Sequence, residues 1–341
     1  LVDVITILCQ VKMVRVKGKK SSKTANKRVP KRKSANKTSR KALPLFTVAQ
    51  LDPFNEAVKG IKVPDESTAP SYTAMSREVK TMGTDGTYGN GITVFRYHPK
   101  VSTVGANIGA GNTWSYVASF GSSGSVGNQS TLSSTFGAMR CVAWGLRVTS
   151  RLAASTAAGM VHVCEVAEQL DGSTWTYPTS LASMALMPGY KKVPIADLVH
   201  DQLLVPGRIT DATAFRYINP GTPDVPTDSS VPTSGWTAIL VYIESGASVT
   251  NAIDVDVVHH WEALPTGNST PVFAPTDATP YSPAALAATK YVVEKSNMVR
   301  VVSETMNDKG FWNEVANTFQ AGISIATGLY NGMELLGALL L

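Results

Sequence analysis

The chain has 341 residues, 43% of them hydrophobic and 16% charged, enough apolar material for a sizeable core, which excludes a wholly disordered protein. Its net charge of +6 conceals a segregation. Residues 13–41 hold nine Lys and four Arg with no acidic residue, whereas seventeen basic and twenty-four acidic residues leave 42–341 at −7. A basic segment on an acidic body points to a polyanionic partner for that segment alone.

Residues 1–12 are apolar up to Val11 but carry neither the basic start nor the small-residue cleavage pattern of a signal peptide. Met13 is the expected start, with 1–12 read as non-native upstream residues. Residues 13–41 form a basic arm whose charges are Arg15, Lys17, Lys19, Lys20, Lys23, Lys27, Arg28, Lys31, Arg32, Lys33, Lys37, Arg40 and Lys41. With almost nothing apolar to bury, the arm is expected to stay disordered until it meets a counter-charge. It has no aromatic residue from Arg15 to Lys41, so contact falls mainly on phosphate and releases counterions rather than stacking bases. A solubilising tail, a nuclear-localisation segment and a membrane-surface segment are the alternative readings.

Residues 42–88 read as a linker punctuated by Asp52-Pro53, Gly60, Val63-Pro64 and Ala69-Pro70, with a short helix over Pro53 to Val58 capped by Asp52. The pattern then changes to β runs of period two: Gly91 to Pro99, Asn112 to Phe120, Arg140 to Ser150 and Ala158 to Val166. Further runs are Thr213 to Asn219, Gly235 to Ser245 and Ala252 to Leu264, with a weaker one near Gln202 to Ile209. Ser180 to Met187 is a candidate helix, and GANIGAGNTW (Gly105 to Trp114) reads as a turn. About eight strands with loops longer than tight hairpins imply an all-β fold, an eight-stranded antiparallel jelly-roll sandwich over residues 89–265. Residues 266–341 open with a Pro- and Thr-rich stretch and end in helical pattern at Ala284 and from Phe311 onward.

The order of parts resembles the coat proteins of nodaviruses and the related tombusvirus-like group. The closest likeness lies in DPFNEAVKGIKVPDESTAPS (Asp52 to Ser71) and LVYIESGASVTNAIDVDVVHHWEALP (Leu240 to Pro265). The resemblance implies an icosahedral shell of identical subunits in a virion, with the arm inside on a single-stranded genome, viral RNA ahead of DNA. It also suggests a membrane-active terminal helix, with Phe311, Trp312, Phe319, Ile323, Leu329 and Leu336 as the residues toward a host membrane. An intersubunit helix and a tail anchor are the alternatives. Self-cleavage, known in the alphanodavirus group at an Asn-Ala or similar bond, has no clear match here. Asn251-Ala252 would split off the last strand, and Asn297-Met298 and Asn307-Asp308 are the other candidates.

Asp254 and Asp256 share one face of a strand and are weak candidates for structural Ca²⁺, which needs six to eight oxygens. A solvated strand face is the competing reading. His259 and His260 are adjacent, point to opposite faces and cannot form one metal site, so they are expected to pack. No GxSxG, HExxH, Walker loop or CxxC is present, and Cys9, Cys141 and Cys164 lie far apart. The chain therefore reads as a structural protein without an enzymatic role or a resident cofactor. A carbohydrate-binding β-sandwich with a basic tail is the alternative.

Overall fold

The computed structural model describes residues 43–66, 70–83, 91–99, 102–108, 113–116, 125–171, 174–175, 177–221, 232–244, 251–266, 275–277, 279–296, 298–303 and 309–339. In chain order these form α1 (Leu45–Leu51), a 3-10 turn (Glu56–Val58), β1 (Tyr72–Met82), β2 (Ile92–Phe95), β3 (Thr103–Ile108) and β4 (Trp114–Tyr116). Then come α2 (Gln129–Thr135), β5 (Phe136–Ser150), β6 (Met160–Asp171), β7 (Thr174–Trp175), α3 (Leu181–Met184), β8 (Lys191–Pro194) and β9 (Asp201–Pro206). The chain continues through β10 (Pro232–Glu244), β11 (Ile253–Pro265), α4 (Pro283–Lys295), β12 (Arg300–Ser303) and α5 (Lys309–Leu339).

Two antiparallel sheets face each other. One runs β1-β11-β5-β9-β12; the other runs β4-β3-β2-β10-β6-β7, with β8 also paired to β6. Without the additions at the edges, the sheets read β1-β11-β5-β9 and β2-β10-β6-β8, the interleaved strand order of a jelly roll. Alternate residues of both sheets meet between them: Trp144, Leu146, Val148, Leu203, Val255, Val257 and Trp261 against Phe95, Val161, Val163, Ile239, Val241 and Ile243. The other face of the second sheet is also covered. Val94, Cys164, Val166, Leu240 and Tyr242 pack there under Trp114, Tyr177 and Met184. Cys141 and Cys164 are buried free thiols, and burial pushes Cys164 up to about 12.

Eight strands are present in the jelly roll, but two differ from the sequence reading. The expected strand Thr213 to Asn219 is a 3-10 turn, Ala212–Phe215, followed by one isolated bridge between Ile218 and Met139. Its apolar residues serve a turn instead: Phe215 packs on Trp236, whose indole donates to the Ala214 carbonyl at 2.9 Å. Among the described residues, the run at Asn112 to Phe120 contributes Trp114–Tyr116, paired with β3 beyond the jelly-roll strands. In their places stand β1, inside the stretch read as lead-in, and β8. The first half of the glycine-rich run, read as a turn, lies in β3.

The helix expected over Pro53 to Val58 is likewise reduced to Glu56–Val58. Asn55 caps it, accepting from the Ala57 N–H at 3.0 Å, while Asp52 accepts from the Phe54 N–H. Pro53 and Phe54 are held to the sheet instead: the Pro53 carbonyl accepts from His260 Nε2 at 2.7 Å, and the Arg147 guanidinium lies 4.3 Å from the Phe54 ring centre. A helix through both residues would break both contacts.

Candidate functional site

Among the described residues, the outer face of the first sheet seats α1, and through it α4 and α5. Its centre is an irregularity in β5. The β5–β11 register slips between His260 and Trp261, so that Val142 is an extra residue. Such a bulge leaves one residue unpaired and turns neighbouring side chains to the same side. Val142 meets Phe46 and Val63, and Ala143 meets Ala49 and Val58. The amide of Gln50 donates to the Val142 carbonyl at 2.7 Å. The bulge is thus the socket for α1.

Helix α1 follows Pro44 directly and stops at Asp52, because Pro53 disfavours helical backbone in the residue before it. Ser282 caps α4 and Pro283 occupies its first position. The two helices join through a buried hydroxyl pair, Thr47 with Thr289, at 2.8 Å. Helix α5 then lays Val315 and Phe319 against this base, with Leu51, Ala288, Val292, Val293 and Met298 in the same apolar cluster. A Cβ on Gly322 would come within 3.1 Å of the Ala288 Cα, so the absence of a side chain lets α4 and α5 approach closely. Arg300 of β12 ties α1 to α5. It donates to the Leu51 carbonyl at 2.9 Å, and its guanidinium sits 4.0 Å from the Phe311 ring centre.

Beside this cluster a buried ionic clamp fixes the lead-in. Arg140 bonds the Glu262 carboxylate through Nε at 3.0 Å and Nη2 at 2.8 Å, and its Nη1 pairs with Asp65. Glu262 also accepts from the Val63 N–H and the Ser71 hydroxyl. Lys62 donates to the Ser71 and Thr276 carbonyls, binding the segment after β11 to the same place. The clamp residues were not singled out in the sequence. Arg140 and Glu262 stand directly opposite each other in the β5–β11 register, a pairing visible only once the strands are aligned.

Asp254 and Asp256 do share one face, as expected, but arginines already engage them. Asp256 pairs with Arg77 and with Arg147 at 3.5 Å, and Asp254 pairs with Arg151 at 3.1 Å and accepts from Thr81. Calcium there would have to displace three guanidinium groups. Among the described residues no group of three or more His, Cys, Asp or Glu is placed to hold a metal ion. His259 and His260 lie on opposite faces. His259 stacks between Trp144 and Trp261, and burial pushes it down to about 4.

The thirteen charges of the arm lie outside the described residues, which begin at Leu43 with the side chain already packed against the α4–α5 cluster. Of the membrane candidates, Phe311, Trp312, Phe319 and Ile323 belong to that cluster, and the side chains of Leu329 and Leu336 lie outside the described set. Among the described residues no helix is long and apolar enough to cross a membrane.

No family profile matches the sequence, and no curated protein matches it. Solved structures do match. The VP2 subviral particle of infectious bursal disease virus is similar at a TM-score of 0.51 and 12% identity, over 75% of this chain and 96% of that one. The fold is similar to that of this virus-particle protein. The Gt strain of the same virus aligns at 0.50 and 12% over 73% and 94% of the two chains, and the Gx strain at 0.50 and 11% over 73% and 93%. At such identities the likeness is one of fold, and it accords with the jelly roll expected from the sequence.

Proposed function

We propose that the chain is the coat subunit of a non-enveloped virus. Identical copies close into an icosahedral shell through the jelly-roll body, and residues 13–41 hold a single-stranded genome inside it, RNA ahead of DNA. The observation that carries this reading is a segment of charge +13 joined, at Leu43, to a jelly roll whose outer sheet face is built to anchor that junction. Shell building needs no catalytic centre. A membrane role for α5 would require Phe311, Trp312, Phe319 and Ile323 to leave their cluster, so it belongs to a rearranged particle.

Electron microscopy of the expressed chain should show uniform spherical particles containing nuclease-protected nucleic acid. Small monodisperse oligomers would overturn the reading in favour of a carbohydrate-binding sandwich. Sequencing the protected nucleic acid separates RNA from DNA. Removing residues 13–41 should empty the particles without unfolding the body, and unchanged packaging would refute the role given to the arm.

A further inference from the structure

Among the described residues the edge strands are short, with one exception. The first sheet ends on one side in the four-residue β12, and the second sheet ends in β4, β7 and β8, of three, two and four residues. Brevity of this kind blunts edges against unwanted pairing. Strand β1 has eleven residues, contains no proline or bulge, and among the described residues is paired along one side only, to β11 in continuous register.

The unpaired side can be assigned residue by residue. Ser71 exchanges both backbone bonds with Thr276, so its N–H and C=O point away from β11. With a period of two, Thr73, Met75, Arg77, Val79 and Thr81 direct theirs the same way. Among the described residues nothing beyond Thr276 pairs this edge. The side chains of these five lie on the outer face, where Met75 is 42% and Val79 57% exposed. The one charge among them, Arg77, is neutralised by Asp256 of its own chain.

We propose that β1 pairs with β1 of a second copy, antiparallel about a two-fold axis through Arg77, so that two first sheets become one continuous sheet. The five edge residues are symmetric about position 77. Only that register matches all of them: Thr73 to Thr81, Met75 to Val79 and Arg77 to itself, satisfying ten backbone groups in each copy. It places each exposed Met75 beside Val79 of the second copy, an apolar cross-strand pair made twice. It also accounts for both ends. Thr276 occupies the place opposite Ser71 that residue 83 of the second copy would otherwise take, and β1 ends at Met82. The contact deepens the coat-subunit reading, and its place in a particle rests on that reading.

The test is oxidative cross-linking of the full chain in a Cys9→Ser background. Across the axis the two Cα atoms of residue 77 stand about 5.5 Å apart, within disulfide range. Those of residue 73 stand about 27 Å apart, eight residues along the strand. Arg77→Cys should therefore give disulfide dimers and Thr73→Cys should not; dimers from neither variant, or from both alike, overturn the contact. Val79→Lys, on an exposed side chain that leaves the subunit's own pairing intact, should weaken the dimer about tenfold in sedimentation, and an unchanged dimer refutes the proposal. Particles that close without the Arg77→Cys cross-link reject the contact but keep the coat-subunit reading. Cross-linked dimers that never close into particles do the reverse.

Discussion

Lowering the pH from 6.5 to 4.5 should destabilise the sandwich through His259. The imidazole is fully buried in a chain of hydrogen bonds with one assignment of protons. Trp261 Nε1 donates to the Ser76 hydroxyl at 3.0 Å, Ser76 donates to His259 Nδ1 at 3.3 Å, and Nε2 donates to the Arg96 carbonyl at 3.0 Å. A second ring proton on Nδ1 would turn the Ser76 hydroxyl proton out of its bond to the ring, so the charged form loses its hydration and leaves that proton to find another acceptor. Burial, the largest cause, holds the folded value at about 4 against an ordinary 6.5. The sign follows: the unfolded chain takes up a proton that the fold refuses, so stability is present above 6.5 and is lost as the pH falls toward 4. Each pH unit costs about 1.4 kcal/mol, hence about 2 to 3 kcal/mol over the two units. Glu78 and Glu165, raised by burial, work in the opposite direction, so the comparison must be with a variant. Urea unfolding followed by tryptophan fluorescence at several pH values should give His259→Gln a pH slope shallower by about one proton, since Gln can keep both hydrogen bonds without titrating. Parallel slopes for the two proteins would refute the reasoning.

Arg140→Met leaves Glu262 buried without its guanidinium and should cost about 3 to 5 kcal/mol in urea unfolding, with part recovered when Glu262→Gln is added; a loss under 1 kcal/mol, on the order of a surface pair, would show that the clamp is not closed. Gly235→Ala would set a methyl 2.0 Å from the Ala214 backbone nitrogen, so the turn must shift, at about 3 kcal/mol; an unchanged melting temperature contradicts that packing. Gly322→Leu should pry α5 from α4, seen as faster proteolysis within α5 while the β-sheet circular dichroism signal persists. If all thirteen arm charges engage a single strand, the logarithm of the binding constant should fall with that of salt at a slope of about −9, and neutralising Arg28, Lys31, Arg32 and Lys33 should reduce it by about 3. A salt-independent affinity would remove phosphate as the partner.

The long central strands were legible because period-two apolar patterning runs through them: β5, β6, β10 and β11 all fall on runs named from the sequence. Strand β1 was not, because Ser76, Glu78 and Lys80 alternate with Thr73, Arg77 and Thr81, leaving polar residues on both faces. Strand β8 has one buried residue in four, too little to register as a pattern. The seven residues of α1 are too few to show a helical period. The Thr213 to Asn219 run failed for the opposite reason, since its alternation is real but is used by a turn around Trp236. At the site, the opposite orientation of His259 and His260 followed from strand geometry alone. The Arg140–Glu262 clamp and the arginine partners of Asp254 and Asp256 depend on inter-strand register, which no local pattern encodes.

The bulge at Val142 also has a mechanical meaning. If the arm holds a polyanion as proposed, tension on it would reach the body at Leu43 and pass first into α1, which is seated on β5 by the Gln50 bond, held to α4 by Thr47 and to Arg300 by its last carbonyl. These contacts break one after another rather than together if α1 peels from its end, so α1 is the fuse of the connection. Its release would uncover Val142 and Ala143 and take away the base on which α4 and α5 rest, so under the proposed coat-subunit role a pull on the arm would loosen the C-terminal helices while the sandwich stays intact.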